Sequence, residues 1–284
     1  MAQRSDLKST IGIELIRQQT SMDNKPLLDN YSNVFFDLDG TLRHSDPPVR
    51  DVFYQYAAEH GLEIAPEQRI GVERWVNWYW ADSKELLEDL ETFGPWRDNR
   101  DFWVNHARRQ FIQLGTQEAV AEEIALAVTV KMWETYESED CVPDDVLPTL
   151  TGLRQAGFKL GLVSNRSEPL DEIVESLGFT GMFDLILAAG EVGWYKPDPR
   201  LLLHAAERLG VEPGETLYLG DNFHADVIGA SAAGMTPVLL DPRGIYPEVD
   251  CWVVPSVGAF AQELLRSDGS EARSLGGQDP DASS

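Results

Sequence analysis

Cysteine and lysine are scarce in this chain and long apolar runs are missing, and each shortage excludes something. Two cysteines, Cys141 and Cys251, are too few for a disulfide framework or a zinc site. Both are expected as reduced thiols in a cytoplasmic protein. No apolar run approaches the length of a membrane span. In the opening "MAQRSDLKSTIGIELIRQQT", Glu14 and Arg17 interrupt the only apolar stretch, so no secretory leader is expected. Lysine occurs only as Lys8, Lys25, Lys84, Lys131, Lys159 and Lys196. Lys and Arg together number 23 against 48 Asp and Glu, a formal net charge of −25. Such a field argues against nucleic acid and anionic membrane as partners. It suits a high-salt cytoplasm, where ions screen the self-repulsion, and equally an acidic protein at ordinary salt; the sequence leaves both open. The material for a core is present in ordinary amount. With 43% hydrophobic and 25% charged residues over 284 positions, the chain can build one large domain or two modest ones.

The texture of the sequence changes twice. Residues 1–30 read as a loosely attached arm, and the tail 267–284, "SDGSEARSLGGQDPDASS", is small, polar and expected to be disordered. From Val49 to Asp140 the chain reads helical throughout. "VRDVFYQYAAEHG" follows Pro47-Pro48 and stops on Gly61. The stretches Glu67–Gly94, Arg100–Gly115 and Gln117–Ser138 repeat apolar residues at spacings of three and four, with no strand-like alternation. From Val142 short apolar runs alternate with helices. "KLGLVS", "FDLILAA", "ETLYLG" and "TPVLLD" read as strands, and "DDVLPTLTGLRQAG", "LDEIVESLG", "DPRLLLHAAERLG" and "ADVIGASAAG" as helices. Asp198 can cap the third of these helices, with Pro199 at its first position and Gly210 as its stop. This rhythm predicts an α/β fold with a parallel sheet covered by helices on both faces. The run Asn33–Leu38 is expected to belong to that sheet. The expected division is a core of residues 31–46 and 142–266 with an all-helical insertion over 47–141, bracketed by Pro47-Pro48 and Pro143.

Ligands of open parallel sheets bind at the carboxyl ends of the strands. There the first strand delivers Asp37, Asp39, Gly40 and Thr41; "KLGLVSN" delivers Ser164 and Asn165; Lys196 precedes a helix; and "ETLYLGDN" ends in Gly220, Asp221 and Asn222, with Asp226 just beyond. Several carboxylates on one edge call for a cation, and ligands that are all oxygen point to magnesium.

In "FFDLDGTL", "LVSN", "YKPDP" and "GDNFHAD", the sequence resembles the haloacid dehalogenase (HAD) superfamily. The four motifs stand in order, each at a strand end, over roughly Asn33 to Asp241 with the helical block excepted. The resemblance implies a Rossmann-like core with a helical cap inserted after the first motif. It implies Asp37 as the nucleophile that becomes an aspartyl phosphate. Asp39 would be the acid that protonates the leaving oxygen and then the base that activates water. Ser164 and Asn165 would hold the phosphoryl oxygens, with Thr41 bonding phosphate or backbone. Lys196 would neutralise the phosphoryl charge and keep Asp37 ionised. Mg2+ would be held by Asp37, the backbone carbonyl of Asp39 and Asp221, with Asp226 close by. Relatives that cleave carbon–halogen bonds lack the second aspartate, so Asp39 favours phosphate-ester chemistry. Many relatives place asparagine directly before the later aspartate, where this chain has Ala225, so Asp221 is the safer ligand of that pair.

Other residues have plainer readings. His44 and His224 flank the motifs, but Asp39 already fills the acid–base role. Arg166 is expected as a solvated loop residue. Trp75, Trp78 and Tyr79 share a helix face and, with Trp96, Trp103 and Trp133, form a cap core or else a platform for an aromatic or sugar substrate. Arg97, Arg100, Arg108 and Arg109 form a solvated face balanced by neighbouring acids, or else draw in a phosphorylated substrate. The expected function is a magnesium-dependent phosphatase acting on a small phosphorylated metabolite. A phosphomutase and a non-catalytic binding protein of the same fold are the alternatives. Substrate identity and oligomeric state are not legible.

Overall fold

The structure, a computed structural model, describes residues 30–266. The expected tail from Ser267 and the expected arm, apart from its last residue, lie outside the described residues. Eight strands are present among them: β1 (Asn33–Phe36), β2 (His44–Asp46), β3 (Glu139–Cys141), β4 (Lys159–Ser164), β5 (Leu185–Ala188), β6 (Thr216–Gly220), β7 (Thr236–Leu240) and β8 (Trp252–Val254). Six form one parallel sheet in the order β5-β4-β1-β6-β7-β8. The first strand is central, paired with β4 on one side and β6 on the other. The strand order therefore reverses at β1, where a parallel sheet opens a crevice.

Both faces of each strand are apolar because both are covered. Val34, Phe36, Leu160, Leu162, Leu217 and Leu219 meet the helices α6 (Val146–Gln155), α7 (Asp171–Ser176) and α11 (Val257–Arg266). Phe35, Val163 and Tyr218 face the other way, toward α9 (Pro199–Leu209) and α10 (Ile228–Ala232), with the short α8 (Ala189–Val192) beside them. The expected stop and start signals of α9 are in place: Asp198 accepts from the Arg200 amide, and Gly210 takes a left-handed φ of 66°. The expected α/β architecture with helices on both faces is what forms.

Between β2 and β3 the chain forms five helices: α1 (Val49–Glu59), α2 (Pro66–Tyr79), α3 (Lys84–Phe93), α4 (Arg100–Gln113) and α5 (Glu118–Thr135). We refer to this block as the cap. Two expectations need correction. The stretch Glu67–Gly94 is two helices, because Asp82 takes a φ of 58° and the Ser83 hydroxyl caps the next helix by accepting from the Leu86 amide. The span from Val49 to Asp140 is also not free of strand. Its end enters β3, which pairs antiparallel with β2 and closes the base of the cap. Three-residue polar strands carry no alternation that a sequence pattern could reveal.

The cap has its own interior. Tyr54, Ala57, Ala107, Phe111, Ile124 and Val128 form one cluster; Tyr79, Leu86 and Phe102 form another, with Trp75, Trp78 and Trp103 packed on it. For Trp75, Trp78 and Tyr79 the core reading therefore holds. Inside the second cluster Asp89 is only 3% exposed. Its carboxylate accepts from the Tyr79 hydroxyl at 2.9 Å and from Arg109 Nη2 at 2.8 Å. Arg109→Ala should strand that buried charge and cost about 3 kcal/mol, read as a lower urea midpoint of tryptophan fluorescence. Lys84→Ala, which breaks an ion pair with Glu88 that is exposed on both sides, should cost under about 1 kcal/mol. Equal losses would show that burial of the partner is not what sets the cost.

Candidate active site

Asp37 continues the ladder of β1 by one bond, its amide donating to the Leu219 carbonyl at 2.9 Å. The chain then turns tightly. The amides of Thr41, Leu42 and Arg43 all donate to the Leu38 carbonyl. Gly40 has a φ of +88°, and a Cβ there would stand 2.3 Å from Asp221 Oδ2. Glycine is thus required twice, for the left-handed backbone and for the close approach of a carboxylate.

The chain after β6 brings two more acids to the same edge. Past Asp221, the Asn222 side-chain oxygen accepts from the His224 and Ala225 amides at 2.9 and 3.0 Å, which tightens the turn Phe223–Val227. That turn carries Asp226 back over Gly220, where a Cβ would stand 2.3 Å from the Asp226 Cγ. The Asn222 amide holds Asp226 Oδ2 at 2.9 Å. Oxygens of Asp37, Asp221 and Asp226 all lie within 4.8 Å of one another.

Lys196 enters this cluster from below, only 2% exposed. Its Nζ donates to Asp37 Oδ1, Asp226 Oδ1 and the Tyr218 hydroxyl, each at 2.7 Å. The Tyr218 hydroxyl in turn donates to the Val163 carbonyl at 3.0 Å. Asn165 fixes the lysine's backbone from both sides: its amide nitrogen donates to the Lys196 carbonyl at 2.9 Å and its oxygen accepts from the Lys196 amide at 2.7 Å.

One ammonium does not neutralise three carboxylates. Burial pushes Asp37 up to about 7, against the pull of Lys196 and with the added push of Asp226. Asp221 is held well above the usual carboxylate range by burial, then by Asp226 and Asp37. Burial alone would lower Lys196, but Asp226 and Asp37 outweigh it and raise the ammonium well above its ordinary value. The donor set, all oxygen and short of positive charge, fits a divalent cation. Asp226 has both oxygens engaged, by Lys196 and by the Asn222 amide, so Asp37 and Asp221 are the freer ligands.

Asp39 turns away from the cluster, and here the sequence reading of Arg166 is overturned. Arg166 is no free loop residue. Its Nε and Nη2 fork onto the two Asp39 oxygens at 2.7 Å each, and Arg43 Nη1 adds a third contact at 3.1 Å. The pairing spans the gap between two strand ends far apart in sequence, which no local pattern displays. Arg43 also donates to Asp140 at 2.6 Å, which ties Asp39 to the ribbon at the base of the cap.

A cavity of about 940 Å³ opens over these groups, with Asp37, Asp39, Ser164, Asn165, Lys196, Asp221 and Asp226 on its wall. Opposite them stand Trp80, Trp96, Trp103 and Arg97 from the cap. Thr41 is placed elsewhere: it is fully buried, off the cavity wall, and its hydroxyl has no hydrogen-bond partner among the described residues. His44 pairs in the ribbon and His224 in the turn, and neither borders the cavity. Sequence reasoning missed Tyr218, hidden in an apolar strand, and Trp80, the residue after the singled-out face. No local signal sets Tyr218 apart from its buried neighbours Leu217 and Leu219 in β6.

A family model described as haloacid dehalogenase-like hydrolase matches residues 31–234. The chain belongs to this family. A glyceraldehyde 3-phosphate phosphatase of Methanopyrus kandleri is 35% identical over 219 residues, 76% of this chain and 86% of that one. A phosphoglycolate phosphatase of Salmonella typhimurium is 31% identical over 238 residues, 81% of this chain and 89% of that one. Among solved structures, the L-2-haloacid dehalogenase RSc1362 superposes with a TM-score of 0.54 at 22% identity, covering 83% of this chain and 99% of that one, which shows a shared fold. No helix among the described residues of this HAD-like hydrolase is long and apolar enough to cross a membrane.

The raised carboxyls fix a pH dependence. Between the ordinary Asp value of 3.8 and about 7, the folded, metal-free protein keeps a proton on Asp37 that the unfolded chain has released. Stability therefore falls as pH rises through that window. A cation that replaces the proton should stabilise more at pH 8 than at pH 5, reaching about 2.7 kcal/mol at pH 8 when it is in hundredfold excess over its Kd there. Thermal melting with Mg2+ against chelator at both pH values checks this. A metal-dependent shift that is independent of pH, or unchanged in Asp221→Asn, would place the cation elsewhere.

Proposed function

We propose that this HAD-like hydrolase is a magnesium-dependent phosphatase that cleaves a small soluble phosphate monoester through an aspartyl phosphate on Asp37. The observation that carries the reading is the triad at the cavity floor. Lys196 binds one oxygen of Asp37 at 2.7 Å, the acids Asp221 and Asp226 stand beside it, and Asp39 follows two residues on. The two curated phosphatases at 31% and 35% identity support the same chemistry.

The cation would be held by Asp37 and Asp221 with Asp226 beside them, and when bound it offsets phosphoryl charge. The chain's own groups do the rest. Lys196 fixes Asp37 Oδ1, which leaves Oδ2 to attack phosphorus as the ester P–O bond breaks. Asp39 gives its proton to the departing oxygen. It then takes a proton from water, whose oxygen attacks the same phosphorus and frees the Asp37 carboxylate and inorganic phosphate. Splitting one displacement into two is what the nucleophile contributes. Ser164, only 2% exposed at the end of β4, offers its hydroxyl to the phosphoryl oxygens. Asn165 acts through Lys196, whose backbone it fixes.

A carboxylate forked by a guanidinium does not donate a proton, so Arg166 has to leave Asp39 before Asp39 acts as an acid. A phosphoryl group is itself a strong bidentate acceptor and competes for Arg166 on entry. The cap lies over the site, tied to the core by the Asn222 side chain donating to the Asn77 carbonyl at 3.0 Å and by Arg97 with Glu168 at 3.5 Å. A covered site excludes water and macromolecules, which suits a small substrate. Both cysteines are free thiols, Cys141 exposed and Cys251 buried, in keeping with a cytoplasmic enzyme.

Phosphate release from a panel of phosphorylated metabolites with Mg2+ tests the reading directly. Asp37→Asn should abolish turnover with the fold intact by circular dichroism, because an amide cannot form the acyl phosphate. Asp39→Ala should slow alkyl esters by ~10²–10⁴-fold and activated aryl esters far less, since an acid matters most when the leaving oxygen is basic. Equal slowing across leaving groups would remove Asp39 from the proton transfer.

A further inference from the structure

The cap holds a second cavity, of about 570 Å³, that the chemistry at the strand ends does not use. It is lined by α1, α2, α4 and α5. Trp80 and Trp103, with ring centroids 5.7 Å apart, stand on its wall and on that of the active-site cavity, and Asp221 borders both. The two spaces therefore share a partition of indole rings and meet at the acid cluster.

Their chemistry differs. The active-site cavity is bordered by Lys196, Arg97, Arg166 and Glu168. The second chamber is bordered largely by carbon, including Phe53, Val76, Met132 and Trp133. Its charged side chains are turned on one another, with Glu73 3.5 Å from Arg50 and 2.6 Å from Arg243. A different kind of polar group also lines it. His106 is 4% exposed, packed among the rings of Trp75, Tyr79, Trp80 and Trp103 at 4.5 to 5.7 Å. Its Nδ1 has no hydrogen-bond partner among the described residues. Burial holds its pKa down at about 3, so the ring is neutral at ordinary pH. The ring of His106 borders the chamber, its Nδ1 closed off within the ring cluster, and a cavity whose wall is mostly apolar has the character of a ligand site.

We propose that this chamber receives the organic part of the phosphate ester, an uncharged aryl or apolar alkyl group, while the phosphoryl end stays at Asp37 and Asp221. The inference rests on the phosphatase reading above and names its substrate class. Asp221 stands on both walls, so the chamber abuts the acid cluster at which the phosphoryl end is anchored. A charged or polyhydroxylated alcohol would lose its hydration against a wall that is mostly carbon and whose Glu73, Arg50 and Arg243 already hold one another, and an arene loses little.

Ala107, 3% exposed on α4, borders the chamber and not the active-site cavity, so Ala107→Phe fills the space from its far side. Two measurements on wild type and variant decide the matter: calorimetric titration with 2-naphthol, and the ratio of kcat/KM for 2-naphthyl phosphate over methyl phosphate with Mg2+. Wild type should bind 2-naphthol, and the substitution should weaken that binding and lower the ratio, each by at least about tenfold. Gln110→Phe, half-buried on the same helix and also on the chamber wall, gives the same expectation and replaces Ala107→Phe if that variant does not fold. Absence of 2-naphthol binding to wild type, or binding and ratio both indifferent to the substitutions, overturns the proposal while leaving ester hydrolysis intact. Binding of 2-naphthol that is sensitive to the substitutions, with no ester hydrolysed, overturns the phosphatase reading and the assignment of the chamber to a substrate.

Discussion

Lys196 carries an ammonium into the interior of the protein, and the site is arranged around that charge. An unpaired buried ammonium is prohibitively costly, so each of its three N–H groups is met: by Asp37, Asp226 and the Tyr218 hydroxyl, all at 2.7 Å. Asp37 follows β1, Tyr218 lies within β6 and Asp226 in the turn after β6, so one charge ties two neighbouring strands and that turn together. A chain with few lysines spends one here because a compact ammonium with three separate donors can satisfy three convergent oxygens, whereas a planar guanidinium presents its donors as a fork. Arginine appears where a fork is wanted, at Arg166 on Asp39.

Pairing the ammonium does not finish the electrostatics. Two carboxylates on one lysine and a third from Asp221 leave the cluster negative, and the upward displacement of Asp37 and Asp221 is the physical expression of that surplus. The backbone around it is shaped to permit the crowding. Gly40 leaves room for the Asp221 carboxylate and Gly220 for that of Asp226. In the proposed function a cation, a phosphoryl group and Lys196 would belong to one charge balance, and the contact that positions Asp37 is the one that keeps its charge tolerable.

Much of this was legible in the sequence because strand ends are short-range objects. "FFDLDGTL" and "GDN" each place an acid after an apolar run, and nothing but a strand terminus explains that order. The capping of α9 by Asp198 and Gly210 was legible for the same reason. What escaped was either too short to have a period or made across the fold. The β2–β3 ribbon has three polar residues a side. The Arg166–Asp39 fork joins residues 127 apart in sequence. Tyr218 looks like any core residue of an apolar strand until the fold shows its hydroxyl on Lys196. In the cap, helical periodicity marked Trp75, Trp78 and Tyr79, which pack inward, while Trp80 at the helix end borders both cavities. Periodicity identifies the buried face of a helix and does not say whether a residue there meets core or cavity.

Asn222 shows how the cap and the acid cluster are mechanically joined. Its backbone amide holds Asp226, its side-chain oxygen closes the turn that presents Asp226, and its side-chain nitrogen reaches the Asn77 carbonyl of α2. All four bonds run through one short residue, and a short side chain cannot keep them while α2 moves away. Displacement of α2 either breaks the bond to Asn77 or pulls on the turn beneath Asp226. Arg243 with Glu73 adds a second tether to the same helix. The wall of the cap chamber and the placement of a buried acid are therefore set by one local geometry, and opening the cap is paid for at the turn that presents Asp226.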